Sequence, residues 1–217
     1  SDVYKRQNEI LYGLGAVKGL GKAAIENIIS EREQKPFENL YDFCARVDLS
    51  KVDKRGIEPL IKSGAMDSFN LSRKEMLESL EDAMKYAKQN TMTQESGISD
   101  LFGGISESND FIPVKKDKYD DFANSKFEFS ALGFYLETHP VKEHYWELKK
   151  LGTGSIENVM EERVNTISGV IIRQNRIQTR RGPLVFATLD DGTDRIELVI
   201  SSEVLDSFEG NLNPQTI

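Results

Sequence analysis

The sequence predicts an α+β chain of more than one domain, helical at its start and β at its end. Three observations carry this. Apolar residues recur at helical spacing over 8–89 and again over 123–164, and from Asn165 they alternate with polar ones instead. A polar stretch, 90–122, rich in Gly and Ser, interrupts the helical part and reads as a flexible linker. At 217 residues there is room for one large domain or two small ones, each with its own core.

The helical part reads as short helices joined by tight turns. It opens on GLGAVKGLGKAAIENII, Gly13 to Ile29, with four glycines in nine residues. Ala24, Ile25, Ile28 and Ile29 then form the stripe of an amphipathic helix. Pro36 ends it, because the residue before a proline avoids the helical region. Leu40 to Val47 is a second helix, within which Cys44 fits as a small buried residue. A third runs around Arg55 to Lys62, with Gly64 as its C-terminal cap. The clearest begins at Ser72, whose hydroxyl with Glu75 makes a capping box. Met76, Leu77, Leu80, Ala83, Met84 and Ala87 form its apolar stripe. Residues 123–164 form a helical connector, broken at His139-Pro140.

Three strands follow within 165–217: NTISGVIIRQNRIQT, PLVFATLDD and RIELVIS, with TRRG and DDGTD as the turns. They fit the first half of a five-stranded OB barrel, which the chain does not complete.

Composition narrows the function classes. Net charge is −8, against a nucleic-acid binder over its whole surface. The charge is uneven, however: residues 1–65 carry 11 Lys/Arg against 10 Asp/Glu, and 66–150 carry 11 against 16. The glycine-rich end is therefore where phosphate binding is electrically plausible. There is no apolar run of membrane-spanning length, no signal-peptide core at the start, and a single cysteine, which together favour the cytoplasm.

The glycine-rich stretch is not a nucleotide site by pattern. A dinucleotide fingerprint needs a strand before the first glycine, and Glu9 to Tyr12 is a poor one. A P-loop needs Ser or Thr after Gly-Lys, and Ala23 follows Gly21-Lys22. What fits is a helix–hairpin–helix: a short helix, a glycine hairpin, and a new helix near Lys22. Lys18, Gly19, Leu20, Gly21 and Lys22 would present backbone N–H groups and positive charge to DNA phosphates, whatever the base sequence. A structural hairpin without a ligand fits the same residues.

Other features allow two readings each. Ile98, Ser99, Asp100, Leu101 and Phe102 form an apolar island in the linker, either an anchor on the chain's own surface or a motif for a partner's pocket. Arg176, Arg180 and Arg181 lie in or beside the first β hairpin, and Phe186 follows. They suit single-strand binding, or are solvated arginines beside a core phenylalanine. His139 and His144 lack partners at metal spacing. Asp190, Asp191 and Asp194 are turn formers rather than magnesium ligands.

Four stretches occur in one order: YGLGAVKGLGKAAIENIISER, PFENLYDFCARVDLSKVDKRGIEPLIKSGAMDSF, ALGFYLETHP and RIQTRRGPLVFATLDDGTDRIELVI. Together they resemble the C-terminal half of bacterial replicative DNA polymerase III alpha subunits, the C-family polymerases, over nearly the whole chain. The resemblance implies duplex contact by the helix–hairpin–helix, a sliding-clamp motif at Ile98 to Phe102, and an OB domain for single-stranded template. Ile98 stands where that motif usually begins with glutamine. Residues 1–7 have no counterpart in it. The family's metal-dependent catalysis, with magnesium, belongs to a palm domain upstream, so no catalytic residue and no cofactor fall within this fragment. Expected partners are double-stranded and single-stranded DNA, the clamp and other replicase subunits, beside the nucleoid. An error-prone paralogue would share these domains, and a stand-alone helix–hairpin–helix/OB adaptor is the alternative from another class.

Overall fold

The computed structural model describes residues 4–6, 9–95, 120–137, 139–207 and 212–214. Contacts divide the chain into two units, Ser1–Tyr135 and Leu136–Ile217.

The first unit opens with an antiparallel pair, β1 (Tyr4–Arg6) and β2 (Glu9–Leu11). The stretch read as a poor strand, Glu9 to Tyr12, forms three residues of one against a local antiparallel partner, and no parallel crossover follows. A 3-10 turn at Leu14–Ala16 leads through the glycines to α1 (Lys22–Gln34). Lys35, before Pro36, is extended at φ −156°, which ends α1 where the proline predicts. Then come α2 (Leu40–Arg46), α3 (Lys54–Lys62), a 3-10 turn at Asp67–Phe69, α4 (Arg73–Glu95) and α5 (Asp121–Leu132). α4 thus runs six residues, 90–95, into the stretch read as linker.

Local rules explain the helix ends. Asn39 caps α2, accepting from the Tyr41 and Asp42 amides, and Asp53 caps α3 through Gly56. Ser72 and Glu75 form the expected capping box: the Ser72 amide donates to Glu75 Oε2 at 2.7 Å, and the Glu75 amide to Ser72 Oγ at 3.2 Å. α3 ends in a Schellman motif. Gly64 N–H donates to Ile61 and Ala65 N–H to Leu60, with Gly64 at φ +80°.

The core of this unit is the convergence of the apolar stripes. Leu40, Ile57, Ile61, Met76, Leu80 and Ala83 are wholly buried or nearly so. Cys44 joins them, and burial pushes its thiol up to about 12, which removes its nucleophilic form.

The second unit begins with two short helices, α6 (Pro140–Glu143) and α7 (Tyr145–Lys150). Pro140 does not break a helix here. It opens one, at the first helical position, with the His139 ring as cap. The break comes earlier, at Gly133, in the left-handed region at φ +89°. A 3-10 turn at Ile156–Asn158 precedes the sheet β3 (Val170–Thr179), β4 (Gly182–Asp190) and β5 (Arg195–Ile200), antiparallel and in sequence order. α8 (Ser202–Ser207) follows. Three antiparallel strands packed on one face are consistent with an incomplete barrel. Val185, Ala187 and Leu189 of β4 turn to the core, joined by Ile156 and Ile171. Asp191 shapes the last turn as expected, accepting from the Thr193 and Asp194 amides and the Thr193 hydroxyl. No helix among the described residues is long and apolar enough to cross a membrane.

Candidate nucleic-acid interface

The hairpin between the Leu14–Ala16 turn and α1 holds the first group of candidate residues. Gly19 sits at φ +81°, a conformation side-chain-bearing residues rarely adopt. Gly21 is extended at φ −74° and caps α1 with no side-chain hydrogen bond. Open space surrounds both positions where a Cβ would stand. The first turn of α1 contains no acidic residue. Among the described residues the Lys22, Ala23 and Ala24 N–H groups have no acceptor, while Ile25 N–H closes the turn on Gly21 O, at the end of the helix where an anion is favoured.

Lys22 extends from that turn with its side chain 90% exposed, pairing loosely with Glu26 at 3.6 Å. A surface pair of this kind contributes little and yields readily to a stronger anion. Leu20 does the opposite job. It packs on the core, against the Cα of Gly56, and pins the loop to α3. Val17 is buried at the other end. Lys18 is divided: its amide donates to Ala131 O at 2.8 Å and its Nζ lies 5.7 Å from the Phe129 ring, so α5 holds it. The five residues thus separate into an outward set, Gly19, Gly21 and Lys22, and a positioning pair, Lys18 and Leu20.

A buried ion cluster in the same unit has no sequence signal. Arg73, 7% exposed, donates to Asp67 from Nε and Nη2, at 3.1 and 2.7 Å, and from Nη1 to Glu128 at 3.0 Å. Glu128 is 1% exposed and belongs to α5, 55 residues away. The guanidinium also occupies the space beside Gly64, where a Cβ would collide with it. Gly64 is thus fixed twice, by its backbone and by its neighbour.

The candidate clamp residues, Ile98 to Phe102, lie outside the described residues.

In the second unit the strand register sorts the remaining candidates. Arg180 and Arg181 are the two loop residues between paired Thr179 and Gly182, both exposed. Arg176 pairs with Val185 and Asn175 with Phe186. Directly paired residues share a face, and neighbours along a strand alternate. Arg176 therefore lies on the Val185 side, and Phe186 on the opposite, open side with Val199. The sheet thus places Arg176 and Phe186 on opposite faces. Phe186 is 36% exposed, and Ile177 on the same open face is 40% exposed.

Asp190 and His139 make a second contact that spacing could not show. His139 Nε2 lies 3.0 Å from Asp190 Oδ1, Arg195 Nε donates to Oδ2 at 2.7 Å, and the Gly192 amide donates to Oδ1 at 2.9 Å. The histidine ties the start of α6 to the end of β4. Among the described residues, no group of three or more His, Cys, Asp or Glu could hold a metal ion.

A family model described as a helix-hairpin-helix motif matches residues 1–76, and so takes in residues 1–7 as well as the glycine hairpin. DNA polymerase III subunit alpha of Pasteurella multocida is 34% identical over 96% of this chain. The same subunit of Haemophilus influenzae is 32% identical over 97%, and that of Vibrio cholerae 35% identical over 92%. The chain is homologous to a stretch of the DNA polymerase III alpha subunit. It spans about a fifth of these relatives, 19%, 19% and 18% of their length. The alpha-subunit alignment runs through both units, so the hairpin and the sheet belong to one stretch of such a subunit.

Proposed function

We propose that this chain supplies the DNA-contacting and clamp-tethering part of a replicative DNA polymerase alpha subunit. The observation that carries the reading is the glycine hairpin. It delivers an uncapped, acid-free helix N-terminus with Lys22 beside it, inside the region matched as a helix-hairpin-helix. Backbone donors in that arrangement suit a phosphate and ignore the base. The hairpin tip, Arg180 and Arg181, and the open face around Phe186 suit single-stranded template. Primer extension and its magnesium chemistry are work for other parts of such a subunit, and no residue here is assigned to them. Such a subunit works on chromosomal DNA in the bacterial cytoplasm.

Duplex affinity is expected to fall linearly with salt on logarithmic axes. Lys22→Glu is expected to weaken all sequences alike by about tenfold and to flatten the salt slope by about 1. Fluorescence anisotropy on two unrelated duplexes measures both. A flat salt response in the unaltered chain would remove the hairpin from consideration.

Clamp tethering rests on the Leu101-Phe102 pair in its polar surroundings. Immobilised sliding clamp is expected to retain the chain and to lose it on Leu101→Ala with Phe102→Ala. Equal retention of both forms sinks this part of the reading.

A further inference from the structure

Trp146 is the one tryptophan of the chain, and it stands 71% exposed on α7. Tyr145 beside it is 49% exposed. The two rings meet edge to face, with centroids 5.4 Å apart at 75°. Lys149 follows at the spacing that shares a helix face, and its Nζ lies 5.6 Å from the centroid of each ring. Burial in the core does not account for this pair: the rings face water, with a cation held against them.

Three lysines, Lys142, Lys149 and Lys150, lie in this segment beside two acids, Glu143 and Glu147. Among the described residues no carboxylate pairs with Lys142, Lys149 or Lys150. Glu147, the acid on α7, lies 3.2 Å from His144 Nδ1. The surface therefore offers two aromatic rings with the Lys149 ammonium against both and, among the described residues, no carboxylate paired with it.

We infer that Tyr145, Trp146 and Lys149 form a stacking platform for single-stranded DNA, carried by residues other than the sheet candidates. Every base has a π face, so a ring pair accepts any sequence, while the lysines neutralise the adjoining phosphates. A purely apolar protein partner would use the rings and leave the ammonium groups unanswered. A polyanion with flat apolar bases uses both. The inference rests on the single-strand reading above for its class of ligand and adds a site to it.

Because Trp146 is alone, its emission reports this site by itself. The experiment titrates the 217-residue chain with oligo(dT), following Trp146 emission and, in parallel, the anisotropy of an end-labelled oligonucleotide. The emission is expected to be quenched along the same isotherm as the anisotropy change. Trp146→Ala and Lys149→Glu are each expected to weaken binding about tenfold with the circular dichroism spectrum unchanged, since both side chains lie outside the core. Phe186→Ala is expected to leave the quenching in place. Unchanged emission when anisotropy reports saturation overturns the platform and leaves the sheet as the single-strand site. No anisotropy change at all overturns both. An emission change with the sliding clamp but none with oligo(dT) also overturns it and makes the ring pair a protein-docking face.

Discussion

Glu128→Ala is expected to destabilise the helical unit by about 3–5 kcal/mol, the cost of leaving a buried charge without its partner. Arg73 is the charge in question. It is 7% exposed, and Glu128, at 1%, is the carboxylate that reaches it from the interior. Asp67 also binds the guanidinium, but its side chain is 42% exposed and screened by water, so it does not replace what Glu128 provides. The loss has a structural consequence too. Arg73 starts α4 and Glu128 lies mid-way along α5, so their bond ties two helices far apart in sequence. α5 in turn holds the glycine hairpin through Ala131 O and Lys18 N. Loosening α5 is therefore expected to weaken duplex binding without touching an outward-facing residue. Denaturant unfolding followed by circular dichroism measures the first effect, and the anisotropy titration the second. The paired change Arg73→Met with Glu128→Leu is expected to restore most of the stability, because no charge is then left buried. A loss below about 1 kcal/mol for Glu128→Ala would show that water reaches Arg73 and that the cluster is not a buried one.

What was legible in the sequence is what local rules decide. The capping box at Ser72, the cap at Gly64 and the stop at Pro36 each depend on a few neighbouring residues, and each forms as read. The stripe from Met76 to Ala87 is likewise a matter of helical period, and it finds the core. The three strands follow from their alternation. What escaped is what distance decides. Nothing near Arg73 announces Glu128, and so nothing announced that α5 belongs to the helical unit. Likewise nothing near His139 announces Asp190, which comes from another part of the chain. The separation of Arg176 from Phe186 is a different case. A two-residue loop at Arg180-Arg181 pairs Thr179 with Gly182, and counting back from there sets Arg176 against Val185. The information was present, but it required the turn length before the faces could be assigned.

The β unit is expected to lose about 1–2 kcal/mol of stability as pH falls from about 4 to about 2, through Asp190. Burial, the largest influence on this carboxyl, acts to raise its pKa. The bonds from the His139 ring, the Gly192 amide and Arg195 together outweigh it and hold the group at about 2, below its ordinary 3.8. The sign follows. A folded pKa below the unfolded one means the ionised form is the one the fold favours. Its contribution is complete above the unfolded value and disappears as pH drops through the folded value. Both donors matter to the architecture: His139 caps α6 through its Nδ1, which accepts from the Val141 amide, and Arg195 begins β5. Protonating Asp190 thus loosens α6 from the end of β4 as well as the last turn of the sheet. Circular dichroism in denaturant at a series of pH values follows the unfolding. Asp190→Asn keeps the shape and removes the titration. Its unfolding free energy is expected to start lower than that of the unaltered chain at neutral pH, with the two curves converging in acid. Curves that stay parallel from about pH 6 to about pH 2 would mean that the carboxylate gains nothing from its three donors, and that the His139 contact is incidental to the fold.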